Sequence, residues 1–145
     1  MKGLNLPTWA LRLARAGRVG HLGLLDDDGH PRVLPVTYAL HEGDVWSAVD
    51  DKPKSRPGAE LARVRWLRAR PWATLTVDHY DDDWDRLAWV QIVGHVHVLE
   101  RPDPGALDAL RDKYAPYRDR GPGGPFLRLH PEGASCWRAR EQEKG

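Results

Sequence analysis

One cysteine, one methionine and one phenylalanine are all that 145 residues contain of those three types. A lone thiol, Cys136, excludes an internal disulfide and any multi-cysteine metal site. With Trp137 beside it, it reads as an inert packed thiol rather than a nucleophile. Long apolar runs are missing too. None approaches the roughly 18 residues that a membrane-spanning helix requires, and the N-terminus lacks the apolar core of a signal peptide. The expectation is a cytoplasmic protein with no membrane span. Charge of one sign is also scarce: 22 Lys and Arg against 21 Asp and Glu leave a net +1. A general nucleic-acid binder would carry a strong basic excess, so nucleic acid is not an expected partner.

What remains is ordinary globular composition. A hydrophobic share of 41% and a charged share of 30% suit one domain over residues 1–145. Two biases stand out. Seventeen arginines face five lysines, so Lys52 and Lys54 belong to a small set. Seven tryptophans each supply a large flat apolar surface.

The segment PTWALRLARAG, from Pro7, has helical spacing, with Pro7 suited to a first turn and Gly17 to a stop. The period then changes. Residues 18–25 read as a strand, Asp28-Gly29 as a hairpin turn, 31–40 as a second strand and 45–49 as a third. A helix from about Gly58 to Arg68 carries the stripe Leu61, Val64 and Leu67. Two longer strands follow at 72–80 and 87–100, joined by the acidic DDDWDR. On the second, Val90, Ile92, Val96 and Val98 alternate with Trp89, Gln91, His95 and His97. Asp103 and Pro104 open a helix that reaches Tyr114. The link RGPGGP (120–125) leads to two short strands, FLRLH and ASCWRA. Hairpins and antiparallel pairing of this kind argue against a doubly wound parallel sheet. The predicted fold is a small β-barrel with helices at its periphery.

The candidate chemistry begins at VDDKPKS (49–55), directly after the third predicted strand. From Lys52 to Arg70 the chain carries Lys52, Lys54, Arg56, Arg63, Arg65, Arg68 and Arg70 against only Glu60. Lysines at a strand-to-helix junction can meet a phosphate as point charges, and the helix N-terminus adds backbone N–H groups. The alternative is a solvated basic helix face, balanced by Asp78, Asp81, Asp82, Asp83 and Asp85. Spacing alone leaves both open.

Five pieces stand in a family-like order: GHLGLLDDDGHPRVLPVTYAL with G-x-P-x-x-x-P-V at 29–36, VDDKPK at 49–54, L-x-R at 61–63, DHYDDDWDRLAWVQIVGHVHVL at 78–99, and a late strand with Trp137. With them the chain resembles the pyridoxamine-phosphate-oxidase-like flavin-binding split barrels. More narrowly, it is similar to the F420-dependent oxidoreductases of that class. The resemblance implies a mainly β split barrel of about six to seven antiparallel strands with two to three peripheral helices. It also implies a homodimer with two equivalent cofactor sites at the subunit interface. Carried over by position, Pro35, Val36 and Thr37 would line the ring system, and Ala48 and Val49 would end a strand beside it. Lys52 and Lys54 would hold the phosphate, Arg63 would reach the phosphate or the tail beyond it, and Trp89 would lie against the ring. Relatives often carry Asn three residues after the L-x-R arginine, where this chain has Trp66. Facing the cofactor, Trp66 would remove a polar contact; facing the core, it would change little.

The implied cofactor is coenzyme F420, with FMN as the alternative. The basic stretch fits the longer polyanionic tail of F420 better than a single phosphate. The implied reaction is hydride transfer between the deazaflavin and a small electron-poor organic acceptor, with the cofactor supplying the hard chemistry. No dedicated catalytic residue is required and none is assigned. Tyr38, Tyr80, His79 and His95 could donate a proton, although a surface or packing role suits each of them better. Two rivals share the fold: an FMN-dependent oxidase or reductase, and a non-enzymatic carrier of F420 or a haem-like ligand. No metal is expected. His95 and His97 have no third ligand in the pattern. Asp26 to Gly29 lacks the alternating ligands of an EF-hand and reads as a turn. Ser47, Ser55 and Ser135 show no nucleophile elbow.

Overall fold

The structure is a computed structural model and describes residues 4–49 and 61–140. Lys52, Lys54 and Arg56 therefore lie outside the described residues. Among the described residues seven strands and four helices follow in chain order: α1 (Thr8–Ala16), β1 (Gly20–Leu25), β2 (Pro31–Val36), β3 (Ala39–His41), β4 (Asp44–Ala48), α2 (Ala62–Ala69), β5 (Trp72–His79), β6 (Ala88–Leu99), α3 (Pro104–Lys113), α4 (Pro116–Asp119) and β7 (Phe126–Arg138). A short 3₁₀ turn, Trp84–Arg86, joins β5 to β6. None of the helices among the described residues is long and apolar enough to cross a membrane.

The strands form one antiparallel sheet in the order β2-β1-β5-β6-β7-β4-β3. Its two ends, β2 and β3, are separated in the chain only by Thr37 and Tyr38. One run of chain thus pairs with β1 through its first half and with β4 through its second, so the sheet closes on itself as a barrel. This is the expected mainly β split barrel, with four helices among the described residues where two to three were anticipated. The predicted strand 31–40 is divided at the closure point. The two predicted late strands are one strand, β7, bonded along its length to β6.

That pairing shifts register between Val93 and Gly94, where Val93 faces Gly133 but Gly94 faces Pro131. A side chain at Gly94 would run into the carbonyl of His130, so glycine is what lets the two long strands bend around the barrel here. The alternation predicted for β6 holds: Val90, Ile92 and Val96 are buried and Gln91 and His97 exposed. They join Leu22, Leu75, Val77, Leu127 and Leu129 in the main core. The helix α1 covers it with Ala10 and Ala14, and α2 with Val64, Trp66 and Leu67. Each large side chain so buried contributes about 1.5–3 kcal/mol. A smaller cluster forms where Ala106 and Leu110 of α3, with Tyr114 just after it, pack against Ala39, Trp46 and Phe126.

The break between β2 and β3 keeps its backbone satisfied through side chains. The Tyr114 hydroxyl accepts from the Tyr38 N–H (3.1 Å) and donates to the Arg18 carbonyl (2.9 Å). Lys113 donates to the Tyr38 carbonyl (2.9 Å), and the Tyr38 hydroxyl donates to the Ala14 carbonyl. Burial without such partners would cost about 1–3 kcal/mol per group.

Candidate functional site

Where β2 runs into the closure point and β4 ends, the chain leaves a groove of about 140 Å³ lined by Val19, Pro35, Val36, Thr37, Ala48 and Arg63. Five of these are residues singled out from the sequence. Val49 follows Ala48 but is buried in the main core, its N–H donating to the Pro125 carbonyl (2.9 Å). The groove exists because Pro35 and Thr37 stand on a strand run that changes partner, while Ala48 has too little side chain to fill the gap. Thr37 is fixed from two sides. Its hydroxyl lies 2.8 Å from the Tyr117 hydroxyl on α4, and its carbonyl accepts from Ser47 Oγ (2.6 Å). Neither Tyr117 nor Ser47 was expected at this place, since nothing in their spacing marks them.

Arg63, at the start of α2, is the helix arginine that lines the groove. The later arginines of the basic stretch turn elsewhere. Arg65 pairs with Asp27 (3.1 Å), Arg70 donates to the Asp26 carbonyl (2.8 Å), and Arg68 lies 3.5 Å from Glu100. The first two dock α2 onto the β1–β2 turn. The seven cations of the basic stretch were not all expected to face one groove, and these three turn to Asp27, Asp26 and Glu100 instead. Trp66 resolves with them, because it is buried in the core with the Arg32 guanidinium 4.9 Å from its ring centroid. The departure from the family's Asn is a packing substitution.

Trp89 is not brought to this groove within one chain. It pairs across β6 with Asp78 and Trp137 and lines a separate cavity of about 390 Å³ with Thr76, Gln91 and Tyr80. The row Pro35, His21, Thr76, Gln91 crosses β2, β1, β5 and β6. Three inter-strand spacings, roughly 14 Å, therefore separate the strand of Pro35 from that of Trp89.

None of the four side chains considered as proton donors lines the groove. Tyr38 is buried in the core, and that burial pushes its pKa well above the usual tyrosine range. The exposed Tyr80 donates to Asp82 (3.0 Å), and His79 sits 3.8 Å from Asp81. His95 stands on the outer face, 5.5 Å from the Trp72 ring and 4.8 Å from that of His97. Partial desolvation on the sheet surface, with His95 beside it, holds the His97 pKa below the ordinary histidine value. The DDDG segment is the expected turn. The Asp26 carboxylate accepts the N–H groups of Asp28 and His30 at 2.9 Å, and the bond from His30 leads the effects that lower its pKa. Beside the groove, burial pushes the Lys113 ammonium down to about 8, with Arg18 nearby adding to the shift.

The family model of pyridoxamine 5'-phosphate oxidase matches residues 8–136, nearly all of the described barrel. No curated protein matches the sequence closely enough to count as a relative. Solved structures do. A conserved hypothetical protein from Mycobacterium tuberculosis superposes with a TM-score of 0.70 at 18% identity, covering 100% of this chain and 94% of that one. An F420 reductase gives 0.64 at 19% identity over 90% and 98% of the two chains. A FAD-binding protein from Mesorhizobium loti gives 0.60 at 24% identity over 90% and 94%. At these identities the likenesses show a shared fold.

Proposed function

Since the chain belongs to the pyridoxamine 5'-phosphate oxidase family, we propose that it is an oxidoreductase that binds a phosphate-bearing tricyclic cofactor in the Pro35–Arg63 groove. The cofactor we propose is coenzyme F420, which exchanges a hydride with a small electron-poor organic acceptor. The observation that carries this reading is convergence. Pro35, Val36, Thr37, Ala48 and Arg63 are 28 positions apart end to end, yet they line one concavity. When bound, the ring supplies the redox chemistry, and the chain's own residues bind and orient it. Pro35, Val36 and Ala48 would give the ring an apolar edge, and Thr37, held by Tyr117 and Ser47, a fixed polar one. Arg63, with Lys52 and Lys54 just upstream in the sequence, would take the phosphate. The described groove is small for a tricyclic ring, which fits a site completed by a second copy. In such a homodimer Trp89 and its neighbours on β6 would come from the other subunit. The outer barrel face supports this, since it leaves Val33, Trp72, Val93 and Trp137 exposed.

A second reading has its own observation. With Arg65, Arg68 and Arg70 engaged elsewhere, the cations left near the groove suit one phosphate, as in FMN. Titrating ligand-free protein with F420 and with FMN, followed by tryptophan fluorescence, separates the two. Tighter F420 binding followed by acceptor reduction supports the deazaflavin enzyme, and tighter FMN binding supports the flavin branch. Binding of F420 with no turnover across quinones and enones would leave a carrier. Binding of neither would overturn the proposal.

A further inference from the structure

Among the described residues a second cavity is larger than the groove just described. It measures about 820 Å³ and lies between α1 and the ends of β5, β6 and β7. Its floor is apolar, made by Trp9, Leu13, Leu87 and Ala88, and its walls carry Arg12, Arg86, Arg138 and Arg140 against Asp85. Two of the arginines are already answered: Arg86 lies 3.4 Å from Asp81 and Arg140 3.1 Å from Asp85. Arg138 is different. Register places it opposite Ala88, which in turn faces His79, so it stands on the row that closes the cavity. Its guanidinium lies 4.8 Å from the Trp9 ring centroid, while its Nε is buried with no hydrogen-bond acceptor.

A buried guanidinium N–H without an acceptor is costly, and native structures rarely leave one so. The ring of Trp9 offers Arg138 a face but not a lone pair in the plane of the fork. The Nε itself is closed to the cavity, so an anion such as a carboxylate would meet the part of the half-buried Arg138 side chain that lines it. The floor beside it asks for flat apolar surface.

We propose that this cavity is a second binding site, for a small organic anion with a flat apolar body, its carboxylate on Arg138 and Arg12 and its body on Trp9, Leu13 and Leu87. The site shares no lining residue with the Pro35–Arg63 groove, adjoins the Trp89 cavity through His79, Leu87 and Ala88, and does not depend on which cofactor the groove takes. Site and groove are neighbours through the α1–β1 turn. Ala16 lines one and Val19 the other, and three residues of chain can part them by no more than about 11 Å.

The test is isothermal titration calorimetry of the cofactor-free full chain with 2-naphthoate and with its neutral counterpart, 2-naphthalenemethanol. Naphthoate is expected to bind, and the alcohol at least about ten-fold more weakly, the least that a charge-assisted hydrogen bond supplies. Arg138→Gln and Arg12→Gln should each weaken naphthoate by a similar factor, whereas Arg63→Ala should leave it unchanged. Circular dichroism of each variant checks the fold. Should Arg138→Gln fail to fold, the exposed Arg12 decides alone. Absence of naphthoate binding at millimolar concentration overturns the site. Equal affinity for acid and alcohol, or a loss that follows Arg63 instead of Arg12, does the same.

Discussion

The Lys113 ammonium lies 2.9 Å from the carbonyl oxygen of Tyr38 and 3.7 Å from the centroid of its ring. It thus holds the peptide at which the barrel closes, one residue from Thr37 in the cofactor groove. The same burial that makes this contact effective disfavours the charge, lowering the pKa from 10.5 to about 8.

A pH dependence of stability follows from that pair. Between pH 8 and 10.5 the unfolded chain binds a proton that folded Lys113 has released, so this group makes stability rise with pH across that window. Tyr38 and Tyr114, whose pKa values burial raises from 10.0, oppose the trend only once pH passes 10. Melting temperatures at pH 7.5 and 9.5 should therefore rise more in the native sequence than in Lys113→Met. Parallel profiles for the two proteins would show that Lys113 stays charged in the fold.

The arginines of α2 can be separated by their partners. Arg63→Ala should weaken cofactor binding about ten-fold, the effect of losing one charge-assisted hydrogen bond. Arg65→Ala should leave affinity unchanged and lose at most about 1 kcal/mol of stability, since its bond to Asp27 is exposed. The Lys52→Ala, Lys54→Ala pair should cost on the order of 100-fold in affinity with little change in melting temperature. A cofactor that binds the lysine double variant as tightly as the native protein would remove the phosphate assignment from that loop.

Gly94 carries a prediction about the barrel itself. The obstacle to a side chain there is the His130 carbonyl and the adjoining Pro131 backbone, neither of which can swing aside. Gly94→Ala should cost about 3 kcal/mol or more, at the upper end for overpacking. At Gly23, by contrast, a methyl group would meet only backbone oxygens at 3.8 Å and beyond, so Gly23→Ala should be nearly neutral. Denaturant midpoints of the two variants compare them directly; equal losses would mean that the bulge relaxes.

How far the sequence disclosed this can be seen at particular residues. Alternation along β6 was legible because one face meets the core and the other does not, a local consequence of period two. The division of 31–40 at Thr37 was not, because it depends on Lys113 and Tyr114 arriving from more than 70 residues away. The apparent split of β7 came from His130-Pro131-Glu132-Gly133, which reads as a turn but is a bulge whose partner is Gly94. At the site, Pro35, Thr37 and Arg63 were reached by resemblance. That Arg65, Arg68 and Arg70 turn away from the groove was not legible, because a run of like charge does not say which way each side chain points. Tyr117 and Arg138 were missed since their roles arise only from tertiary neighbours.

The last prediction concerns Trp89, which lies three strands from Pro35 and which we propose meets the cofactor from a second copy. If the exposed face of β6 is the interface, Val93→Glu puts a charge into it. Val93 is 40% exposed in the single chain, so the change should alter monomer stability by no more than about 0.5 kcal/mol. In the dimer it should split the copies and abolish cofactor binding together, although Val93 lines none of the cavities described. Trp89→Ala should instead weaken the cofactor about ten-fold, as loss of a stacked aromatic does, and leave two chains together. Sedimentation velocity read beside the titration distinguishes these effects. A Val93→Glu protein that sediments as one chain yet binds the cofactor undiminished would show that a single barrel is a complete site, and that Trp89 plays no part in it.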